Sequence, residues 1–192
     1  MSLIYLDAGQ APDPHAVNLL GALGIGLADL QTAAMTDATK LDVSAVAALT
    51  TLLDRPGLTL RQLSQVLGIT HSGAVRLADR LATRGLLERG TSADARQAPV
   101  TLTPTGRRAA RTALHARRDA LQTLLGRLPA AQRASFADAL ATVLGGMPDN
   151  EMHARHVCRL CEHAVCRGPS CPVGAAAHGC PARAEPTVTP PT

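Results

Sequence analysis

The stretch Thr59-Leu60-Arg61-Gln62-Leu63-Ser64-Gln65-Val66-Leu67-Gly68-Ile69-Thr70-His71, continued as SGAVRLADRLATRG over residues 72–85, decides the fold. It opens on a capping box. The Thr59 hydroxyl can accept from the Gln62 backbone N–H, and the Gln62 side chain can reach back to residue 59. Leu60, Leu63, Val66 and Leu67 then fall on one apolar stripe at helical spacing, and Gly68 is the stop. Ile69 fills the turn. Thr70 caps a second helix, His71 to Arg84, with Val75, Leu77, Ala78 and Leu81 as its apolar set and Gly85 as its end. Two short helices joined by a tight turn make a helix-turn-helix, whose second helix is shaped for a DNA major groove.

With Val75, Ala78 and Leu81 packed inward, His71, Ser72, Arg76, Asp79 and Arg80 point outward. Ser72 stands at the helix N-terminus, where hydroxyl and backbone N–H groups suit a phosphate oxygen. Arg76 is one turn further in, and a guanidinium can make two hydrogen bonds to a guanine edge. A wing follows. Leu86–Arg89 and Pro99–Leu102 are short strand candidates, joined by the small, polar loop Gly90–Ala98. Arg96 at the tip is placed to reach into a minor groove. The bland alternative for these arginines is a solvated face.

Order and spacing in this run resemble the MarR family of winged-helix regulators. The matching stretches are Leu49 to Leu67, Gly68 to Gly85, Leu86 to Arg89, the Asp94-x-Arg96 pair of the wing, and Leu102-Thr103-Pro104-Thr105-Gly106. The resemblance extends over roughly residues 15–147. It implies a homodimer on a near-palindromic double-stranded operator; a transcriptional regulator, first of all a repressor, is the leading functional expectation. The helix at Ser72–Arg80 would lie in the major groove, Arg96 in the minor groove, and the terminal helices would form the dimer. It also implies a pocket for a small aromatic effector between the dimer and DNA lobes.

Composition agrees with a mainly α protein. The only aromatics are Tyr5 and Phe136, so the core must be built from Leu, Val and Ala. This suits helix-on-helix packing and argues against stacking single-stranded bases on aromatic platforms. Charge is uneven. Residues 59–118 hold eleven arginines against three acids, or +8, in a chain of net charge +4, which leaves −4 for the remainder. A basic block in an otherwise acidic chain fits a polyanionic partner.

The rest of the scaffold is helical. Asp13-Pro14 starts a helix to about Met35, with Leu20, Leu23, Leu27 and Leu30 as a stripe that dimer packing would cover. Asp42 caps a helix closed by Arg55-Pro56-Gly57. Thr103-Pro104 starts a long helix to about Leu128, and Pro129 begins another that ends at Gly145-Gly146-Met147-Pro148. The apolar run Leu19–Leu30 is short and broken by Gly21, Gly24, Gly26 and Asp29, and the start lacks the basic region of a signal peptide. A cytoplasmic protein without a membrane partner is the expectation. No nucleotide loop, nucleophile elbow or carboxylate pair points to an enzyme.

All five cysteines lie between residues 158 and 180. Cys158, Cys161, Cys166 and Cys171 form a C-x2-C-x4-C-x4-C run, with Gly168, Pro169 and Pro172 allowing tight turns; Cys180 stands apart. Four thiolates in a short loop can enclose a tetrahedral metal, zinc above all. An iron–sulfur cluster is the second reading, and free thiols or a thiol–disulfide switch without metal the third. A metal or redox effector here would make DNA affinity conditional.

The expected organisation is a mainly α, winged helix-turn-helix protein with a small β-hairpin wing and N- and C-terminal dimerisation helices. Residues 1–41 form the N-terminal dimerisation region, 42–103 the DNA-binding domain and 104–150 the C-terminal dimerisation helices. Residues 151–181 form the cysteine-rich segment and 182–192 a disordered tail. A winged-helix protein–protein module with a structural zinc knuckle is the competing class.

Overall fold

The computed structural model describes residues 11–91, 98–166 and 171–176. Along the chain come α1 (Pro14–Thr39), α2 (Val43–Asp54), β1 (Leu58–Thr59), α3 (Leu60–Leu67) and α4 (His71–Thr83). They are followed by β2 (Leu87–Arg89), β3 (Pro99–Leu102), α5 (Pro104–Leu125), α6 (Ala130–Gly145), α7 (Glu151–Val157) and α8 (Pro172–Ala176). The mainly α architecture with a winged helix-turn-helix is the one expected. The expected tip of the wing and the tail beyond residue 176 lie outside the described residues.

Local chemistry sets the helix starts. Asp42 caps α2 by accepting from Ala45 N at 2.9 Å, and Thr59 caps α3 with both halves of the capping box formed. Thr70 caps α4 by accepting from Gly73 N at 3.1 Å. Gly68 ends α3 with φ +67°, a left-handed conformation that costs glycine nothing. The core gathers α2, α3, α4, the sheet and the start of α5, with Met35, Val46, Leu49, Leu52, Leu63, Leu81 and Val100 fully enclosed. As the composition requires, it contains no aromatic side chain among the described residues.

Two features go beyond the sequence expectation. The wing has three strands, in the order β1-β3-β2, all antiparallel. Leu58 pairs with Val100 and Leu87 with Leu102. Gly57, at φ +84°, turns the chain into β1 and donates its N–H to the Val100 carbonyl at 3.2 Å. In α4, Ala74 is buried along with Leu77, Ala78 and Leu81, while Val75 is only partly covered. The inward face is thus turned slightly from the one expected.

The hinge between wing and α5 is tightly specified. Thr103 Oγ1 donates to the Gly85 carbonyl at 2.7 Å and accepts from Gly106 N at 2.9 Å, while Thr103 N donates to the Leu86 carbonyl at 3.2 Å. A Cβ on Gly106 would overlap that same Leu86 carbonyl. The Thr-Pro-Thr-Gly sequence is therefore a cap and a close backbone approach in one.

The outer helices are sparsely covered. α1 buries only Met35, and Val17, Leu19, Leu20 and Ile25 are each more than half exposed. α6 buries no residue. Over its 26 residues α1 is long and apolar enough, at hydropathy 1.3, to cross a membrane by length and composition alone. This corrects the expectation that no segment is long enough: Leu19–Leu30 is only the middle of a helix that extends past it on both sides. α1 packs on α5, where Arg117 Nε donates to Gln31 Oε1 at 2.8 Å.

Candidate nucleic-acid interface and cysteine cluster

The outward face of α4 carries the residues expected of it. His71, Ser72, Arg76, Asp79 and Arg80 are all exposed, opposite Ala74, Leu77, Ala78 and Leu81. The Ser72 hydroxyl lies 3.3 Å from Thr70 Oγ1 at the start of the helix. Arg76 has no ion-pair partner among the described residues. Arg80 differs. Its guanidinium meets Asp42 at 3.0 Å, and Asp42 is also the cap of α2. Asp79 is held by Arg89 of β2 at 2.7 Å, which ties recognition helix to wing. Arg96 lies outside the described residues.

The cysteine segment follows a course that the sequence did not reveal. Instead of trailing from the end of α6, it doubles back over the helix-turn-helix. Asn150 caps α7 by accepting from His153 N at 2.8 Å. His156 Nδ1 then donates to the Val66 carbonyl at the end of α3 at 2.9 Å, and its ring covers Gly68. Thr50 Oγ1 of α2 donates to the Arg159 carbonyl at 2.9 Å. Leu160 packs against the main core. An ion pair and a histidine–carboxylate approach close the contact. Arg118 of α5 meets Glu162 at 3.2 Å, and His163 faces Asp54 at 3.7 Å.

The four cysteines of the expected set do come together. Cys158 and Cys171 are buried with Ala154 and Val173 in a small second cluster, and Cys161 and Cys166 pack against it. Leu144 of α6 packs on the same cluster, and α8 lies along α6. Gly174 N donates to Cys171 Sγ at 3.2 Å. Cys158 and Cys161 hydrogen-bond to each other. This bond holds Cys161 down at about 7, helped by the charge of Arg117. The same bond, then burial, then the other three thiols raise Cys158 well above the ordinary thiol range. Burial lowers the Arg159 guanidinium. The sulfurs are neighbours and not a finished coordination shell: among the described residues no three His, Cys, Asp or Glu side chains stand in metal-holding geometry. Cys180 lies outside the described residues.

A cavity of about 230 Å³ opens between α2 and α5, and residues 161–164 form its third wall. Thr50, Leu53, Arg111, His115, Cys161 and Glu162 line it. Leu114 and Ala164 add apolar surface to the same lining. The glycines and leucines of the sequence gave no sign that the cysteine loop would help enclose it.

These features define a winged helix-turn-helix protein flanked by long terminal helices. Residues 39–98 match the MarR family profile. No curated protein matches the chain. Among solved structures, a MarR family protein of Mycobacterium tuberculosis is 27% identical, over 70% of this chain and 98% of that one, with a TM-score of 0.57. The PcaV transcriptional regulator of Streptomyces coelicolor is 26% identical, over 64% and 93%, with a TM-score of 0.52. A second M. tuberculosis protein is 19% identical over 74% of this chain and 100% of that one; its TM-score of 0.63 speaks for the fold alone. Residues 39–98 thus carry a MarR-type winged helix, and the chain around them is similar in sequence and fold to MarR family transcriptional regulators. The first M. tuberculosis protein has also been solved in complex with DNA and in complex with salicylic acid.

Proposed function

We propose that this protein is a cytoplasmic, homodimeric repressor that binds a near-palindromic double-stranded operator through α4 and the wing. The observation that carries the reading is the exposed face of α4: His71, Ser72, Arg76 and Arg80 stand together opposite a buried stripe, inside a window of charge +8. Ser72 and Arg80 suit phosphates, and Arg76 suits a base edge. Arg96 is assigned to the minor groove on the family pattern. The exposed apolar residues of α1 and α6 suit a second copy of the chain. DNA affinity is set by the cysteine segment, through metal or redox state, or by a small effector in the cavity between α2 and α5. The salicylic acid complex of the M. tuberculosis relative supports the latter kind of ligand.

Selection from a random duplex library, followed by fluorescence anisotropy at several salt concentrations, tests this. A selected duplex with two half-sites one helical turn apart is expected, with affinity falling steeply as salt rises. Arg76→Ala should cost about 1–3 kcal/mol and relax one base position in each half-site. Binding that is neither salt-dependent nor sequence-selective would favour the protein–protein module instead.

A further inference from the structure

We propose that Cys158, Cys161, Cys166 and Cys171 enclose one zinc ion per protomer, and that the loaded site straps α6 to the helix-turn-helix. The first argument is packing. The cluster that holds α7 against α8 consists of Ala154, Cys158, Cys171 and Val173, with Leu144, Val157, Cys161 and Cys166 against it, so half of its members are cysteines. A cluster this small adds little apolar burial to the contacts that dock the segment on the main core, and a bound metal is the usual supplement. The second argument is convergence. Four thiols that begin three, five and five residues apart in sequence return to one small cluster, from which binding of the ion would draw the sulfurs into a shell. Cys158 and Cys161 are already in contact. Tetrahedral zinc, with Zn–S near 2.3 Å, sets its sulfurs roughly 3.8 Å apart, so such a pair forms one edge of the shell. A cluster of several iron atoms holds its thiolates further apart. Loading needs no oxidant: each thiol gives up its proton to solvent as its sulfur binds the ion.

The strap follows from what lies on either side. Toward the reading head, His156 reaches the Val66 carbonyl and Thr50 reaches the Arg159 carbonyl. Toward the terminal helices, Leu144 joins the cluster, and Pro172 O lies 3.7 Å from the Cβ position of Gly145. The metal thus locks together a turn that touches both α3 and α6. Fixing α3 relative to α6 fixes α4 in the dimer before DNA arrives, which removes an ordering cost from binding. The DNA part of this argument rests on the regulator reading; the site and the strap do not.

The full chain, purified reduced from zinc-supplemented cells, is assayed for metal, visible absorption, tryptic cleavage and affinity for its selected duplex. Expected are about one zinc per protomer and a colourless protein. Chelation should speed cleavage after Arg155 and Arg159 about tenfold or more while sites in α2 to α4 stay protected, and weaken duplex binding about tenfold. The double variant C158S/C171S should match the chelated protein. His156→Ala should keep its zinc yet lose protection, which separates the strap from the shell. An iron-containing brown protein, a disulfide-bonded protein without metal, or cleavage indifferent to chelation would overturn the proposal. Zinc with protection but no duplex binding would uphold site and strap and sink the regulator reading.

Discussion

Asp42 serves two partners at once. Its carboxylate caps α2 through Ala45 N and holds the guanidinium of Arg80 at 3.0 Å. Sequence showed the first role, because a cap is read from neighbours along the chain. It could not show the second, which spans 38 residues. The two roles separate in Asp42→Asn, since asparagine caps as well as aspartate but does not pair with arginine. Stability should change by less than about 0.5 kcal/mol, because both partners are exposed and such pairs are weak. Freed from Asp42, Arg80 is available to a phosphate, and duplex affinity should rise up to about fivefold. Anisotropy titrations of Asp42→Asn with and without Arg80→Ala check this. An equal gain in the Arg80→Ala background would show that Arg80 is not the source. Gly106 is a second position where one atom decides. Gly106→Ala places a Cβ on the Leu86 carbonyl and should cost about 3 kcal/mol, read as a lowered urea midpoint. Gly85, with φ +65° and open space around it, should cost only about 1 kcal/mol when changed to alanine.

At the scale of elements, legibility tracked how local the cause was. The boundaries of α3 and α4 come out within a residue of expectation because caps and left-handed glycines fix them. β1 escaped notice because two residues carry no period of their own; Leu58 and Thr59 become a strand only by pairing with Val100 and Pro99. The long α5 stops at Leu125, not near Leu128, since Gly126 and the turn before Pro129 end it first. α7 had a readable start in Asn150 and Glu151, but its docking on α3 has no signature within the segment itself. The convergence of the four cysteines was legible from spacing; their position over the reading head was not. The capping box of α3 offers a clean check on how much local chemistry contributes. Thr59→Ala removes the hydroxyl that accepts from Gln62 N and should cost about 1 kcal/mol. Equilibrium unfolding measures the loss, and Thr59→Ser should restore most of it.

The whole molecule leaves its terminal helices half-finished. The stripe expected at Leu20, Leu23, Leu27 and Leu30 forms at helical spacing on α1, yet Leu20 is 54% and Leu23 37% exposed. A helix with Gly21, Gly24 and Gly26 has weak propensity and needs packing along more than one side. α5 covers one side, and the rest suits the matching helices of a second copy. The chain therefore carries two kinds of apolar surface: a core sufficient for one winged helix, and an outer face that the proposed dimer would complete. Operator binding should depend on both. In the proposed dimer each α4 would read one half-site, and joining two turns the second contact into an intramolecular step. Leu20→Glu sets a carboxylate in the proposed interface, where burial without a partner is costly. Sedimentation equilibrium should then report a monomer whose circular dichroism and core stability match those of the parent. Its affinity for the two-half-site duplex should fall by about a hundredfold or more, while its affinity for a single half-site stays level. A Leu20→Glu protein that remains dimeric would place the interface elsewhere on the outer helices. A monomer that kept full affinity would mean that one winged helix suffices for recognition, and that the symmetry of the operator is not read through the pairing of α1 and α6.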